Sequence, residues 1–311
     1  MTAIAPPSAQ SQSQQLVLPR YERPREEVRD APPIDVTACI PFADCERAIE
    51  KSELSAGSKA LARGLLRLGS TRTFGGGGVG IEYGSLLKTA VRPDLLGEHV
   101  REAAAHLNDL QVDVLLVPGM SGYPVGAMYS LAADVPAVLL KKVKFWAEAP
   151  ASYPPGAFVI PSYTGDGDVV MHADQDALQD IVDVVARRQL KAEDGSSTPS
   201  IVLRVAGADD IIDKATMSHA VSESALVVGR AAVDDFLRRY RSERGDGRDV
   251  AVDVRVVTWV TPLIKGYNRP VEYMRRTIGV TPFAGLTVTS VHLAPAAIGI
   301  EGLGTVVFPG T

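Results

Sequence analysis

Two cysteines in a chain of 311 residues, Cys39 and Cys45, are too few to frame a disulfide scaffold or a Cys-rich zinc site. Reduced thiols of a cytosolic protein are the expectation. Histidine is scarce as well. His172 and His219 lie too far apart for spacing to suggest a metal pair, and His99, His106 and His292 read as surface or core residues. No stretch approaches the roughly 20 apolar residues that a membrane span needs, and Met1 to Pro7 have neither the basic nor the apolar region of a secretory leader. A basic excess is also missing. With 32 Lys and Arg against 37 Asp and Glu, the net charge of -5 provides no global attraction for nucleic acid or an acidic membrane. No G-x-S-x-G elbow, P-loop or strand-linked G-x-G-x-x-G occurs, which disfavours a hydrolase, an NTPase and a nicotinamide oxidoreductase. No helix-turn-helix signal supports DNA binding. These absences leave a soluble, cytoplasmic protein as the expectation.

What is present is a chain with 46% hydrophobic residues, enough for one large core. Residues 1–33, rich in Gln, Ser, Pro and charge, read as a flexible N-terminal arm. Residues 34–260 alternate strand and helix. Leu61, Leu65, Leu66 and Leu68 mark a short helix, and Thr73 to Gly80 a glycine-rich loop. A helix from Pro93 carries Leu96, Val100, Ala103, Leu107 and Leu110 at helical spacing, followed by the apolar run Val112 to Val117. After a Gly/Pro turn come a small-residue helix to Ala133 and a strand, Val135 to Leu140, ending in Lys141 and Lys142. A further strand at 157–161, an amphipathic helix at 174–190, the strand Ser200 to Ala206, a long helix to about Arg241 and a strand from Val250 to Trp259 complete the alternation. This order predicts an α/β fold with a doubly wound, mostly parallel sheet, and residues 261–311 read as a C-terminal appendage.

In such a sheet ligands bind beyond the carboxyl ends of the strands, so the loops at 118–124, 141–144 and 207–218 should converge. The last of these places Asp209 and Asp210 at a strand end, then Lys214, Thr216 and Ser218 at a helix start. Helix amides with a lysine and hydroxyls suit a phosphate, whereas paired carboxylates suit sugar hydroxyls or a hydrated Mg²⁺. An acidic turn capping the helix through Asp213 or Thr216 is the plainer alternative. Trp259, at the expected end of its strand, could stack on a planar ligand or lie in the core.

The order of features from Ile81 to about Arg241 resembles the purine branch of the type I phosphoribosyltransferases, most of all the adenine phosphoribosyltransferases. Val112-Asp113-Val114-Leu115-Leu116-Val117 with Pro118 to Gly126 is similar to the family's pyrophosphate-loop region. Val135 to Lys142 is similar to the strand that follows. Ser162 to His172 looks like the end of its mobile loop and the next strand. Ala208-Asp209-Asp210-Ile211-Ile212-Asp213-Lys214-Ala215-Thr216-Met217 stands where the family carries V-D-D-L-L-A-T-G-G-T. The resemblance implies transfer of a ribosyl 5-phosphate group from phosphoribosyl pyrophosphate to a planar heterocyclic or aromatic acceptor, and a homo-oligomer. It implies Asp209 and Asp210 on the ribose hydroxyls and on Mg²⁺, directly or through water. It further implies Lys214, Thr216 and Ser218 on the 5-phosphate, Gly119, Ser121, Gly122, Lys141 and Lys142 on the pyrophosphate, and Tyr163 as a catalytic group in the lid.

The chain departs from that pattern where the phosphate is held. The family's Thr-Gly-Gly-Thr becomes Asp213-Lys214-Ala215-Thr216-Met217, without the glycines that let amides close round an anion. Ser121 stands where the adenine enzymes carry a basic residue. These changes point to a specialised metabolic reaction, or to a second possibility, a non-catalytic ligand-binding or regulatory protein on the same fold.

Overall fold

The computed structural model describes residues 18–23, 35–73, 79–83, 87, 92–143, 153–161, 167–192, 199–244 and 249–308. In chain order these form α1 (Cys45–Lys51), α2 (Ala56–Leu68), β1 (Ser70–Thr73), β2 (Val79–Glu82), α3 (Pro93–Asp109), β3 (Val114–Val117) and α4 (Tyr123–Ala133). Next come β4 (Ala137–Leu139), β5 (Lys141–Val143), β6 (Phe158–Pro161), β7 (Asp168–His172), α5 (Gln175–Ala192), β8 (Ser200–Ala208), β9 (Ile211–Ile212) and α6 (Thr216–Arg244). The last elements are β10 (Ala251–Lys265), α7 (Pro270–Ile278), β11 (Phe283–Leu293), β12 (Ala296–Ile300) and β13 (Gly304–Val307).

Strand alternation builds the layers. Val114 and Leu116 of β3, with Leu203 and Val205 of β8, turn to one face and pack with α5, α6 and α7. Leu115 and Val117, with Ala206 and Ala208, turn to the other and pack with α3 and α4. Two helical layers on one sheet make the doubly wound arrangement read from the sequence. The main sheet runs β13-β12-β11-β10-β8-β3-β4, with β9 also on β10. Its pairs from β11 to β4 are parallel, and β12 and β13 are added antiparallel. A separate antiparallel sheet, β5-β7-β6, rests on α6, where the Ser224 hydroxyl donates to the Gly156 carbonyl at 2.7 Å. At the amino end of β3, buried Asp113 accepts from the Arg204 amide at 2.9 Å and from Arg188 at 3.0 Å, tying β3 to β8. Burial raises this carboxyl above its ordinary range, and those two donors pull it back.

Several expectations change. The boundary at 260/261 falls inside β10, and the segment after it widens the main sheet by β11, β12 and β13. Pro262 lies within β10, opposite Asp209 and Asp210, between the β8 pairing that stops at Val260 and the β9 pairing that starts at Leu263. No ladder bond is asked of its nitrogen on that side. Trp259 is therefore central in β10 and fully buried, its indole donating to Ser222 at 3.0 Å, so it is a core residue. A strand, β1, does precede the glycine run and pairs antiparallel with β2, while residues 74–78 lie outside the described residues. Of the N-terminal arm, residues 18–23 are docked. The Tyr21 amide donates to the Val159 carbonyl at 3.0 Å, and the Val159 amide to the Pro19 carbonyl at 2.8 Å.

His99 of α3 is fully buried against Phe283, with its Nε2 2.7 Å from the Tyr129 hydroxyl. Burial, opposed by the Thr261 backbone, lowers its pKa from 6.5 to about 4. The folded protein therefore keeps this ring neutral while the unfolded chain protonates at the ordinary value. Stability from this group is whole above about pH 6.5 and is lost as pH falls toward 4, by about 3 kcal/mol in all. The stability gap between wild type and His99→Gln should narrow over that window in denaturant titrations. A pH-independent gap contradicts the assignment.

Candidate functional site

The carboxyl ends of neighbouring strands β3 and β8 release the two loops that matter. Pro118 to Gly122 leads from β3 into α4, and Asp209 to Ala215 leads from β8 through β9 into α6. They meet at Gly122 and Asp209. A Cβ on Gly122 would lie 2.9 Å from Asp209 Oδ1 and 2.8 Å from the Pro118 carbonyl oxygen, so glycine leaves room here for both the carboxylate and the loop's own backbone. Gly119 is similarly confined, since a Cβ there would overlap the Tyr123 ring. The Tyr123 hydroxyl in turn donates to the Leu140 carbonyl, joining this loop to the β4–β5 junction.

The two acidic residues differ in setting. Asp209 is half-buried at the loop contact, and its Oδ1 accepts from the Asp210 amide at 2.9 Å. Asp210 is turned inward and only 3% exposed. Ser121 is half-buried beside Gly122. Lys141 and Lys142, both exposed, occupy adjacent β5 positions and so point to opposite faces of that strand. Lys141 is the one close enough to Tyr123 to draw its hydroxyl back toward the ordinary range against the rise that burial causes. Lys141 also pairs with Asp174 at 2.5 Å, and that hydrogen-bonded contact raises the lysine's own pKa. Lys214 is exposed, Thr216 half-buried at the first position of α6, and Ser218 buried. Tyr163, with Ser162 to Asp166, lies outside the described residues, as do Lys144, Phe145 and Trp146.

The turn into α6 is locally unfavourable. Ala215 has φ +59° and its carbonyl accepts the first helical bond, from the His219 amide at 2.9 Å. A left-handed alanine costs on the order of 1 kcal/mol, and an alanine N-cap lacks the side-chain acceptor that serine or aspartate supplies. Tertiary contacts hold the turn instead. Asp213 accepts from Lys265 Nζ at 3.1 Å and from the Asn268 side-chain amide, so it is an anchor of the turn and its carboxylate is directed to the end of β10. Lys265 is 6% exposed. Arg23 Nη1 donates to the Asn268 carbonyl at 2.7 Å and to the Lys214 carbonyl at 3.2 Å. Arg23, Lys265 and Asn268 escaped the sequence reading. Arg23 sits in a low-complexity arm, and Lys265 lies six residues beyond Trp259, where the expected strand ends.

Among the described residues no cluster of three or more His, Cys, Asp or Glu could hold a metal, and no helix is long and apolar enough to cross a membrane. A surface cavity of about 510 Å³ between α6 and the start of β10 is lined by Arg230, Asp234, Leu237, Arg238 and others. It lies at the amino end of β10, away from these loops. Its arginines are engaged, Arg230 with Asp234 at 3.2 Å and Arg238 with Asp235 at 3.1 Å.

No protein-family model and no curated protein matches the sequence. Among solved structures, the chain is similar to the adenine phosphoribosyltransferase of Giardia lamblia complexed with 9-deazaadenine. The two are 14% identical with a TM-score of 0.44, over 75% of this chain and 98% of that one. It is similar to the enzyme of Rhodothermus marinus, at 14% identity and a TM-score of 0.44, over 74% and 99% of the two chains. The Saccharomyces cerevisiae enzyme, complexed with an imino-altritol bisphosphate and adenine, is 11% identical with a TM-score of 0.42, over 74% and 99%.

The Asp213 anchor generates a direct test. Asp213→Ala leaves Lys265 buried without that carboxylate and frees the turn before Ala215, which should cost about 2 to 4 kcal/mol of stability. Urea denaturation measures it. A loss under 0.5 kcal/mol would show that the pair holds nothing.

Proposed function

We propose that this chain transfers a ribosyl 5-phosphate group from phosphoribosyl pyrophosphate to a planar heterocyclic or aromatic acceptor, in a specialised metabolic reaction. The observation that carries the reading is the contact of Gly122 with Asp209, which brings a glycine loop and an acidic strand end together beyond two adjacent parallel strands. In this reading Asp209, backed by the buried Asp210, takes the ribose hydroxyls. The start of α6, with Lys214 and Thr216, takes the 5-phosphate, where helix amides and a cation favour an anion. Ser218 is buried and so takes no part in holding the phosphate. The loop of Gly119, Ser121 and Gly122, with Lys141 at its margin, takes the pyrophosphate, and Tyr163, outside the described residues, is assigned a catalytic role. The acceptor's nucleophilic atom bonds to the ribose C1 and loses its proton to solvent, while the C1–oxygen bond to pyrophosphate breaks and pyrophosphate leaves with the bonding pair. Positioning and charge stabilisation of a cationic ribosyl carbon supply the catalysis.

Mg²⁺ fits the donors present in one way. Among the described residues no third carboxylate joins this pair, so a Mg²⁺ ion would keep most of its water, would be held by the half-buried Asp209 with the buried Asp210 behind it, and would supply positive charge for the departing pyrophosphate.

A second reading, a ligand-binding or regulatory protein without turnover, is favoured by the replacement of the phosphate-loop glycines with Asp213-Lys214-Ala215. Pyrophosphate release, measured with phosphoribosyl pyrophosphate, Mg²⁺ and a panel of heterocycles and phenolic acids, separates the two. Release with one acceptor is the expected result; tight binding without release supports the second reading. Asp209→Asn should weaken phosphoribosyl pyrophosphate about tenfold or more in calorimetric titration with Mg²⁺ and leave the melting temperature nearly unchanged. Unaltered affinity removes the main support for both readings.

A further inference from the structure

The N-terminal arm makes two sets of contacts within six residues. On one side it joins the small sheet. Pro19 and Tyr21 exchange backbone bonds with Val159 of β6, Arg20 pairs with Asp168 of β7, and the Tyr21 ring lies edge-on to Phe158 at 6.1 Å and to His219 at 5.1 Å. On the other side Arg23, 8% exposed, reaches into the base of the turn before α6, bonded to the Lys214 and Asn268 carbonyls and stacked over Tyr273 at 4.9 Å. Tyr273 in turn bonds His219 of α6 at 2.9 Å.

The carbonyl of Lys214 belongs to the same peptide plane as the amide of Ala215. In a trans peptide the two point in opposite directions. A donor that fixes the carbonyl therefore fixes the amide, facing away from Arg23. Ala215 is the left-handed residue of the turn, with neither a glycine's freedom nor a capping side chain, so its peptide plane needs an external hold. Arg23 provides it on one flank and Asp213, through Lys265 and Asn268, on the other.

We infer that Arg23 is a positioning residue of the ligand site. It clamps the turn 213–216 so that its amides are preorganised for the 5-phosphate, taking over from a strap outside the loop what glycines within the loop would otherwise allow. The identity of the ligand rests on the function proposed above; the clamp itself does not.

The experiment compares wild type, Arg23→Ala and Arg23→Lys as full chains. Amide hydrogen exchange of residues 214–217 is read without ligand, and affinities for ribose 5-phosphate, phosphoribosyl pyrophosphate and inorganic pyrophosphate are read by calorimetry. Arg23→Ala should speed exchange in the turn about tenfold and weaken both sugar phosphates by a common factor of about ten. Pyrophosphate alone should bind as before, and Arg23→Lys, able to serve one carbonyl, should fall between. Unchanged exchange overturns the clamp. Equal weakening of all three ligands together with a general rise in exchange assigns Arg23 to bulk stability and overturns it too. If Arg23→Ala fails to fold, Arg23→Lys decides by the same two readings. A wild type that binds neither sugar phosphate removes the ligand named here and refutes the proposed reaction, while the exchange data still uphold or reject the clamp.

Discussion

The approach of Gly122 to Asp209 is the constraint on which the carboxyl end of the sheet depends. β3 and β8 are adjacent and parallel, so the loops leaving them emerge side by side, and a Cβ at 122 would crowd the Asp209 carboxylate on one loop and the Pro118 carbonyl on the other. Bringing them together places the amino end of α4 beside an acidic strand end. The break between β8 and β9 that carries Asp209 and Asp210 is matched on the neighbouring strand by Pro262, a residue that has no amide to offer a ladder at that point. The site and the long central strand therefore share one irregularity.

A second physical theme is the hold on the turn before α6. A helix amino end favours an anion, and the cations gathered near this one, Arg23 and Lys265, would oppose the helix dipole if left alone. Asp213 answers Lys265, while Arg23 is spread over two carbonyls and an aromatic face. The turn is thereby fixed by groups distant in sequence. An alanine in a left-handed conformation is tolerated because its surroundings specify it, as is common where a loop must present its backbone to a ligand.

Much of the frame was legible from residue order. The apolar run Val112 to Val117, the helical spacing from Leu96 to Leu110 and the alternation up to Trp259 are local patterns, and they produced the strands and helices expected of them. Three other strands were less legible. β1, β2 and β12 are short or glycine-bearing, and their pairing partners are supplied by the fold rather than by their own periodicity. α7 opens on Pro270, a residue that reads equally well as part of a loop.

By itself the sequence determined the α/β class, the mostly parallel character of the sheet and the placing of Asp209 and Asp210 at a strand end, because these follow from hydrophobic period and from the geometry of a strand-helix-strand unit. Tertiary structure alone decided that Trp259 is core, that Asp210 is turned inward, that Lys141 rather than Lys142 approaches Tyr123, and that Arg23, 191 residues from Lys214, holds the turn into α6. The physical reason is the same in each case. Burial and long-range hydrogen bonds depend on which surfaces meet after folding, and a polar arm with no apolar period of its own carries no local trace of the carbonyls it will bind.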